Sequence, residues 1–213
     1  MNGCLIVDAG CRLGPPSAWE KIGAEVIGFD PDPDECARLG EIHPNHTFIP
    51  LALDIESNSR NFWITENSEC GSFYRPDQTL LSNGFAGHRI VGQKEVPTVD
   101  LDSWMEVNRP GRSVDLLKLD TQGSELDILK GSIKTIGKTL WIVVEVEFHP
   151  LYEGQPLFSD VDLFLRQYGF NLWNFGDVNC RHGQMIWADA YYFKPPLEGK
   201  TLELGRMIQC PNL

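Results

Sequence analysis

Short apolar runs, each closed by an acid, recur along this chain and alternate with polar segments of helical spacing. Leu5-Ile6-Val7 stops at Asp8. Glu25-Val26-Ile27-Gly28-Phe29 stops at Asp30, and Phe48-Ile49-Pro50-Leu51-Ala52-Leu53 stops at Asp54. Val114-Asp115-Leu116-Leu117-Lys118-Leu119 ends at Asp120, and residues 140–146 form a further run that leads to Glu147. Apolar runs this short, bounded by turn residues, predict buried strands. Helices are predicted over residues 16–22, with proline in the first turn, and over 34–39, 124–130 and 160–168. Ser124 and Gly131 are placed to cap the third of these, and Gly169 closes the fourth. Asn61-Phe62-Trp63-Ile64-Thr65 is another β segment, and Phe170-Asn171-Leu172-Trp173 and Tyr191-Tyr192-Phe193 supply the last strands. Strands alternating with helices predict a doubly wound α/β sheet with its ligands at the carboxyl ends of the strands. Residues 66–93 show neither period, and so long a polar stretch predicts a substrate or lid loop.

Chemistry concentrates where the runs end. Asp8, Gly10 and Gly14 follow the first strand in a D-x-G-x-x-x-G spacing. This is not the G-x-G-x-x-G fingerprint of a pyrophosphate-bearing dinucleotide. It weighs against nicotinamide and flavin cofactors and suits a nucleoside ligand without pyrophosphate, such as S-adenosylmethionine. Asp30, followed by Pro31, sits at the second strand tip, where a carboxylate accepts ribose hydroxyls; a helix-capping acid is the other reading. Asp54, past the third strand, is placed to meet an adenine amino group, or is a turn aspartate. Arg12 is placed to pair a methionine-like carboxylate, or faces solvent. Asp120 is a candidate to orient the cofactor or take a proton. Lys118, two residues before it, is expected to form a buried ion pair with it. Alternation puts Glu145, Glu147 and His149 on one face, as candidates for a general base or a weak divalent site.

Composition narrows the class. The 213 residues suit one domain, and a net charge of −12 argues against a nucleic-acid partner, which needs clustered Lys and Arg. No run reaches membrane-spanning length, so no membrane partner is expected. The start, Met1-Asn2-Gly3, lacks a signal-peptide pattern. Six cysteines show no metal-ligand spacing, so a zinc site is not expected and reduced thiols in a cytoplasmic protein are.

Val7-Asp8-Ala9-Gly10, Gly28-Phe29-Asp30-Pro31-Asp32-Pro33, Val99-Asp100-Leu101-Asp102-Ser103-Trp104 and Lys118-Leu119-Asp120 with Gly123-Ser124-Glu125-Leu126 recur in a specific order. Val144-Glu145-Val146-Glu147-Phe148, residues 151–158 and Gly169-Phe170 continue the series. In these motifs the chain resembles the FkbM family of S-adenosylmethionine-dependent methyltransferases. The resemblance implies a class I methyltransferase fold: Rossmann-like, seven-stranded, with the last strand antiparallel, and one domain over residues 1–213. It implies S-adenosylmethionine as methyl donor, S-adenosylhomocysteine as product, and as acceptor a hydroxyl of a sugar, glycolipid or secondary metabolite. No metal is predicted, and neither a requirement for one nor the oligomeric state is legible. Asp8, Gly10 and Gly14 are implied to line the cofactor turn, Asp30 to take the ribose and Asp120 to border the reaction centre. Arg12 stands where the family usually has Asn, and Gln122 where a second acid is usual. The sequence also opens almost at the first strand, without the helix that often precedes it. These departures motivate the alternative, a catalytically silent nucleoside-binding module of the same fold.

Overall fold

The central strand explains the rest of the architecture. In the computed structural model, which describes residues 3–209, β1 (Leu5–Ala9) is buried along its whole length. (Met1, Asn2 and Cys210 lie outside the described residues.) Leu5, Val7 and Ala9 join the larger core on one face of the sheet, and Ile6 joins a smaller core on the other. The period of two along a strand divides them this way. Both faces therefore need cover, the condition that parallel sheets meet with helices.

The chain continues through α1 (Ser17–Lys21), β2 (Glu25–Phe29), α2 (Pro33–Ile42), β3 (Thr47–Ile49), β4 (Ala52–Leu53), β5 (Ser59–Thr65), β6 (Ile90–Val99) and α3 (Leu101–Asn108). Next come β7 (Leu116–Leu119), α4 (Glu125–Lys130), α5 (Ile133–Ile136), β8 (Trp141–Glu147), α6 (Phe158–Gln167), β9 (Asn171–Arg181), β10 (Gln184–Phe193) and α7 (Gly199–Gln209). The main sheet has the order β3-β2-β1-β7-β8-β10-β9. β10, the last strand, runs antiparallel to both its neighbours, and the other pairings are parallel. The expected class I methyltransferase fold, with seven strands and the last antiparallel, is what the chain adopts. Helices α3 to α6 supply Leu101, Trp104, Leu129, Ile136 and Leu165 to the larger core, and Trp19 of α1 and Leu204 of α7 close the smaller one.

The order reverses between β1 and β7. Successive strands lead away from that seam in opposite directions, leaving a crevice at its carboxyl edge. Gly10 enters the crevice at φ +81°, and a Cβ there would collide with the Asp120 carbonyl oxygen. The two strand tips thus touch through bare backbone.

Three readings of local structure are corrected. The run at residues 48–53 is not one strand: β3 joins the main sheet, whereas β4 pairs with β6 in a second sheet of order β4-β6-β5. The main chain turns between them, with the Leu51 N–H bonded to the Ile49 carbonyl. Residues 66–93 are not structureless: short 3₁₀ turns span Ser68–Cys70, Gln78–Asn83 and Ala86–His88, and β6 begins at Ile90. β6 escaped the apolar pattern because most of its residues are exposed or half-buried. Ser124 makes no capping bond to α4; its Oγ donates to Thr121 Oγ1 at 3.0 Å.

The contact at Gly10 sets a stability test. Gly10→Ala adds a backbone collision to the strain of a positive φ, and should cost on the order of 2–4 kcal/mol in urea denaturation. Gly111→Ala has the positive φ (+76°) but open space around it, and should cost about 1–2 kcal/mol.

Candidate active site

The crevice opens into a cavity of about 450 Å³, within the range of small-molecule sites. Ala9, Gly10 and Arg12 line it from the first tip, Phe29, Asp30 and Pro31 from the second, and Ala52 and Leu53 from β4. Asp120, Thr121, Gln122 and Ser124 come from the β7–α4 turn, Glu145 and Glu147 from β8, and Trp187 from β10. The second sheet and the segment beyond it complete the wall with Phe62, Ile64, Asn67, Cys70, Phe73, His88 and Lys94.

Each tip presents its group for a local reason. Asp30 Oδ1 accepts the Asp32 N–H at 2.9 Å, which turns the chain toward α2, whose first N–H groups bond to Asp32 Oδ1. Burial pushes the Asp30 carboxyl above its usual pKa, and Arg12, 3.9 Å away, opposes the shift. The β7–α4 turn is held by Glu125: its Oε1 accepts the Thr121 N–H at 2.7 Å, and its Oε2 accepts the Gly123 N–H at 3.0 Å. Gln122 then adopts φ +60°, strained for a side chain with a Cβ. Its Nε2 donates to Asp120 Oδ1 at 3.2 Å and to Glu145 Oε2 at 2.6 Å, while its Oε1 accepts from Tyr152 at 2.8 Å. The residue that replaces the family's usual acid is the bridge between two other acids.

Beneath the turn lies a half-buried cation. Lys118 Nζ is 3.4 Å from Asp8 Oδ1 and 3.3 Å from Asp120 Oδ2. Burial pulls its pKa down, but Asp8 and Asp120 more than offset this, so the ammonium is held charged. Among the described residues no cation forms an ion pair with Glu145 or Glu147. Burial, then the charge of neighbouring acids, pushes both carboxyls well above the usual range. Asp189 is pushed up to about 6, again chiefly by burial. His88 is held neutral at pH 7: burial lowers its pKa and Arg181 adds to the effect. Its Nε2 is buried and has no partner among the described residues.

Gly10, Arg12, Asp30, Pro31, Asp120, Glu145 and Glu147 are thus brought together. Four other candidates do not line the cavity. Asp8 is 2% exposed, on the smaller-core face, where its charge is matched by Lys118. Gly14 serves the turn: at φ +77° a Cβ would lie 3.1 Å from Leu39 Cδ2 and 3.2 Å from His43 Nε2. Asp54 pairs with Arg60 at 2.8 Å, because β4 leaves the main sheet and carries the acid with it. His149 falls beyond the end of β8, where strand alternation no longer governs its direction. Among the described residues no three His, Cys, Asp or Glu gather as a cation site. Arg12 does line the cavity, but its Nη2 is bonded to Asp32 Oδ2 at 3.0 Å. Phe62, Lys94 and Trp187 had no signal in the sequence; Phe73 and His88 fall in residues 66–93, the stretch expected to form a substrate or lid loop, where no single role was assigned to them.

Comparison with known proteins decides the family. The model for "Methyltransferase FkbM domain" matches residues 16–172, most of the chain.

The chain belongs to the FkbM methyltransferase family. It is a methyltransferase, and its methyl donor is S-adenosylmethionine. It is similar to the 2-O-methyltransferase NoeI of Sinorhizobium fredii, 30% identical over 176 residues that cover 75% of this chain and 70% of that protein. It is also similar to the hexuronic acid methyltransferase AglP of Haloferax volcanii, 25% identical over 144 residues, 67% of this chain and 55% of that one. Among solved structures, the magnesium protoporphyrin IX methyltransferase of Synechocystis PCC 6803 shares the fold, with TM-score 0.50 and 13% identity over 91% of this chain and 71% of that chain. Among the described residues no helix is long and apolar enough to cross a membrane.

The cavity fits the donor. Six carboxylates line it, Asp30, Asp32, Glu69, Asp120, Glu145 and Glu147, against the two cations Arg12 and Lys94. A sulfonium and an ammonium relieve that imbalance.

Two outcomes follow from these charges. Lys118→Met leaves Asp8 buried without its cation, and should cost about 3–5 kcal/mol in chemical denaturation. Glu145→Gln should do the reverse at high pH. An acid that binds its proton more tightly folded than unfolded loses stability as pH rises, from an unfolded value of about 4.3 toward its folded value. The gain in melting temperature from Glu145→Gln, measured without ligand, should therefore be larger at pH 8 than at pH 5.

Proposed function

We propose that this protein transfers the methyl group of S-adenosylmethionine to a hydroxyl oxygen of a sugar or sugar-bearing metabolite. The reading rests on one observation: Asp120 and Glu145, bridged by the Gln122 amide, share a cavity with the buried acid at the β2 tip. A ribose clasp and a proton acceptor in one cavity, with a cation-seeking wall between, suit methyl transfer to a hydroxyl. NoeI and AglP, whose names state a 2-O-methyltransferase and a hexuronic acid methyltransferase, support oxygen on a sugar as the target.

Asp30 accepts the ribose hydroxyls, with Pro31 beside it. Phe29, Ala52 and Leu53 give the nucleobase an apolar seat. The bare backbone at Gly10 lets the ligand approach the β1–β7 seam. When bound, S-adenosylmethionine supplies an electrophilic methyl on a positively charged sulfur. Glu145 or Asp120 takes the proton from the attacking hydroxyl as the O–CH₃ bond forms and the S–CH₃ bond breaks, its electron pair staying on sulfur. Holding the two groups in line does most of the work; the carboxylate adds a general-base contribution of roughly 10²–10⁴-fold. Residues 66–93 cover the acceptor side. They are tied to the reaction turn by the Ser72 hydroxyl, which donates to the Gln122 carbonyl at 2.6 Å, and by Tyr152, which donates to the Cys70 carbonyl at 3.2 Å. The whole chain acts as one donor-binding domain in the cytoplasm.

Isothermal titration with S-adenosylhomocysteine and transfer of a labelled methyl group to saccharides test the reading. Asp30→Asn should weaken S-adenosylhomocysteine binding about 10- to 100-fold by removing a charge-assisted ribose contact. Binding that persists with no transfer to any saccharide would favour the silent nucleoside-binding module.

A further inference from the structure

The two ends of the cavity carry different charge. The cations line only the donor end: Arg12 is paired with Asp30 and Asp32 at the second strand tip, and Lys94 Nζ reaches the Pro31 carbonyl at 3.5 Å beside the same tip. On the far side of Asp120 the lining carries Glu145, Glu147 and Glu69 and no basic side chain. The lining histidine, His88, packs against Tyr152 at 5.5 Å between ring centroids, and its Nε2 has no partner among the described residues. Trp187, opposite Glu147 in the β8–β10 pairing, adds an aromatic wall.

We infer that the acceptor subsite takes an uncharged or amine-bearing sugar and rejects sugars that carry a carboxylate, sulfate or phosphate. This rests on the reading of the protein as a sugar O-methyltransferase and deepens it. An anionic group on this side meets carboxylates and finds no lysine or arginine in the wall. Like charges brought together at a binding surface are strongly disfavoured. Neutral hydroxyls meet a better set of partners. Carboxylates accept from them, the vacant His88 Nε2 accepts one more, and the Trp187 ring covers an apolar sugar face. His88 is neutral at pH 7, because burial and Arg181 both oppose its protonation, so it brings no positive charge to attract an anion. The distinction matters because one relative, AglP, is a methyltransferase named for an acidic sugar; the inference separates this chain from it.

The test offers the full-length protein, with labelled S-adenosylmethionine, a mixed saccharide pool that is then split by ion exchange into neutral, amine-bearing and acidic fractions. Label should enter the neutral or amine-bearing fraction at least about tenfold over the acidic one. Label chiefly in the acidic fraction overturns the inference while leaving sugar O-methylation intact. Label in no fraction, with S-adenosylhomocysteine still bound in titration, overturns the sugar reading itself. Glu69→Lys gives an independent arm, since Glu69 is exposed and the change does not threaten folding. It should narrow the preference for neutral acceptors several-fold, and more at low ionic strength than at high. An unchanged ratio in that variant overturns the electrostatic basis of the selection.

Discussion

A single half-buried ammonium makes the centre of this molecule possible. The strands that meet at the seam of the sheet bring Asp8, Asp120, Asp189, Glu145 and Glu147 into or beside the interior, and Lys118 lies among them, between Asp8 and Asp120. Uncompensated buried charge is expensive. The protein offsets it in three ways: by the lysine, by the Gln122 amide that spans two carboxylates, and by raised proton affinity in Glu145 and Glu147. The last is the least complete. A site whose acids are destabilised in their charged form by burial and by one another is one that gains when a cationic ligand arrives, and the methyl donor of this family is such a ligand.

The same arrangement joins the two sides of the cavity mechanically. Gln122 is held in a strained conformation by Glu125 on one side, and its carbonyl and amide oxygens are gripped by Ser72 and Tyr152 on the other. The segment covering the cavity is therefore anchored to the turn that carries Asp120, not merely laid over it. Tyr152 also bridges to Pro76 through the main chain. A change at the cover thus reaches the acids through two or three hydrogen bonds.

Two acids that the strand-tip pattern marks for ligand contact, Asp8 and Asp54, do not line the cavity and are paired with cations instead. Asp8 stations Lys118, and Asp54 stations Arg60, which also bonds to Asp127. Arg60 in turn lies over Phe73, a cavity-lining ring, at 4.7 Å. These residues act through a neighbour, which a one-dimensional pattern has no means of distinguishing from acting directly.

The apolar runs and the acids that end them were enough to predict the doubly wound sheet, because burial on both faces leaves a largely apolar signature in β1, β7 and β8, interrupted only near their carboxyl ends. The glycine spacing separated this crevice from a dinucleotide site, since backbone approach there demands residues without a Cβ. The D-G-turn, the second-tip Asp30 and the acids of β7 and β8 were legible for the same local reason. Tertiary structure alone decided the rest. Strand β6, mostly exposed or half-buried, has no periodic signal until β5 pairs with it, and β4 leaves the main sheet for a reason that lies 46 residues downstream in Thr98 and Val99. Which acid faces the cavity, which is matched by a half-buried cation, and how Gln122, His88, Lys94 and Trp187 come to share one wall depend on long-range packing, and residue spacing along the chain carries no record of it.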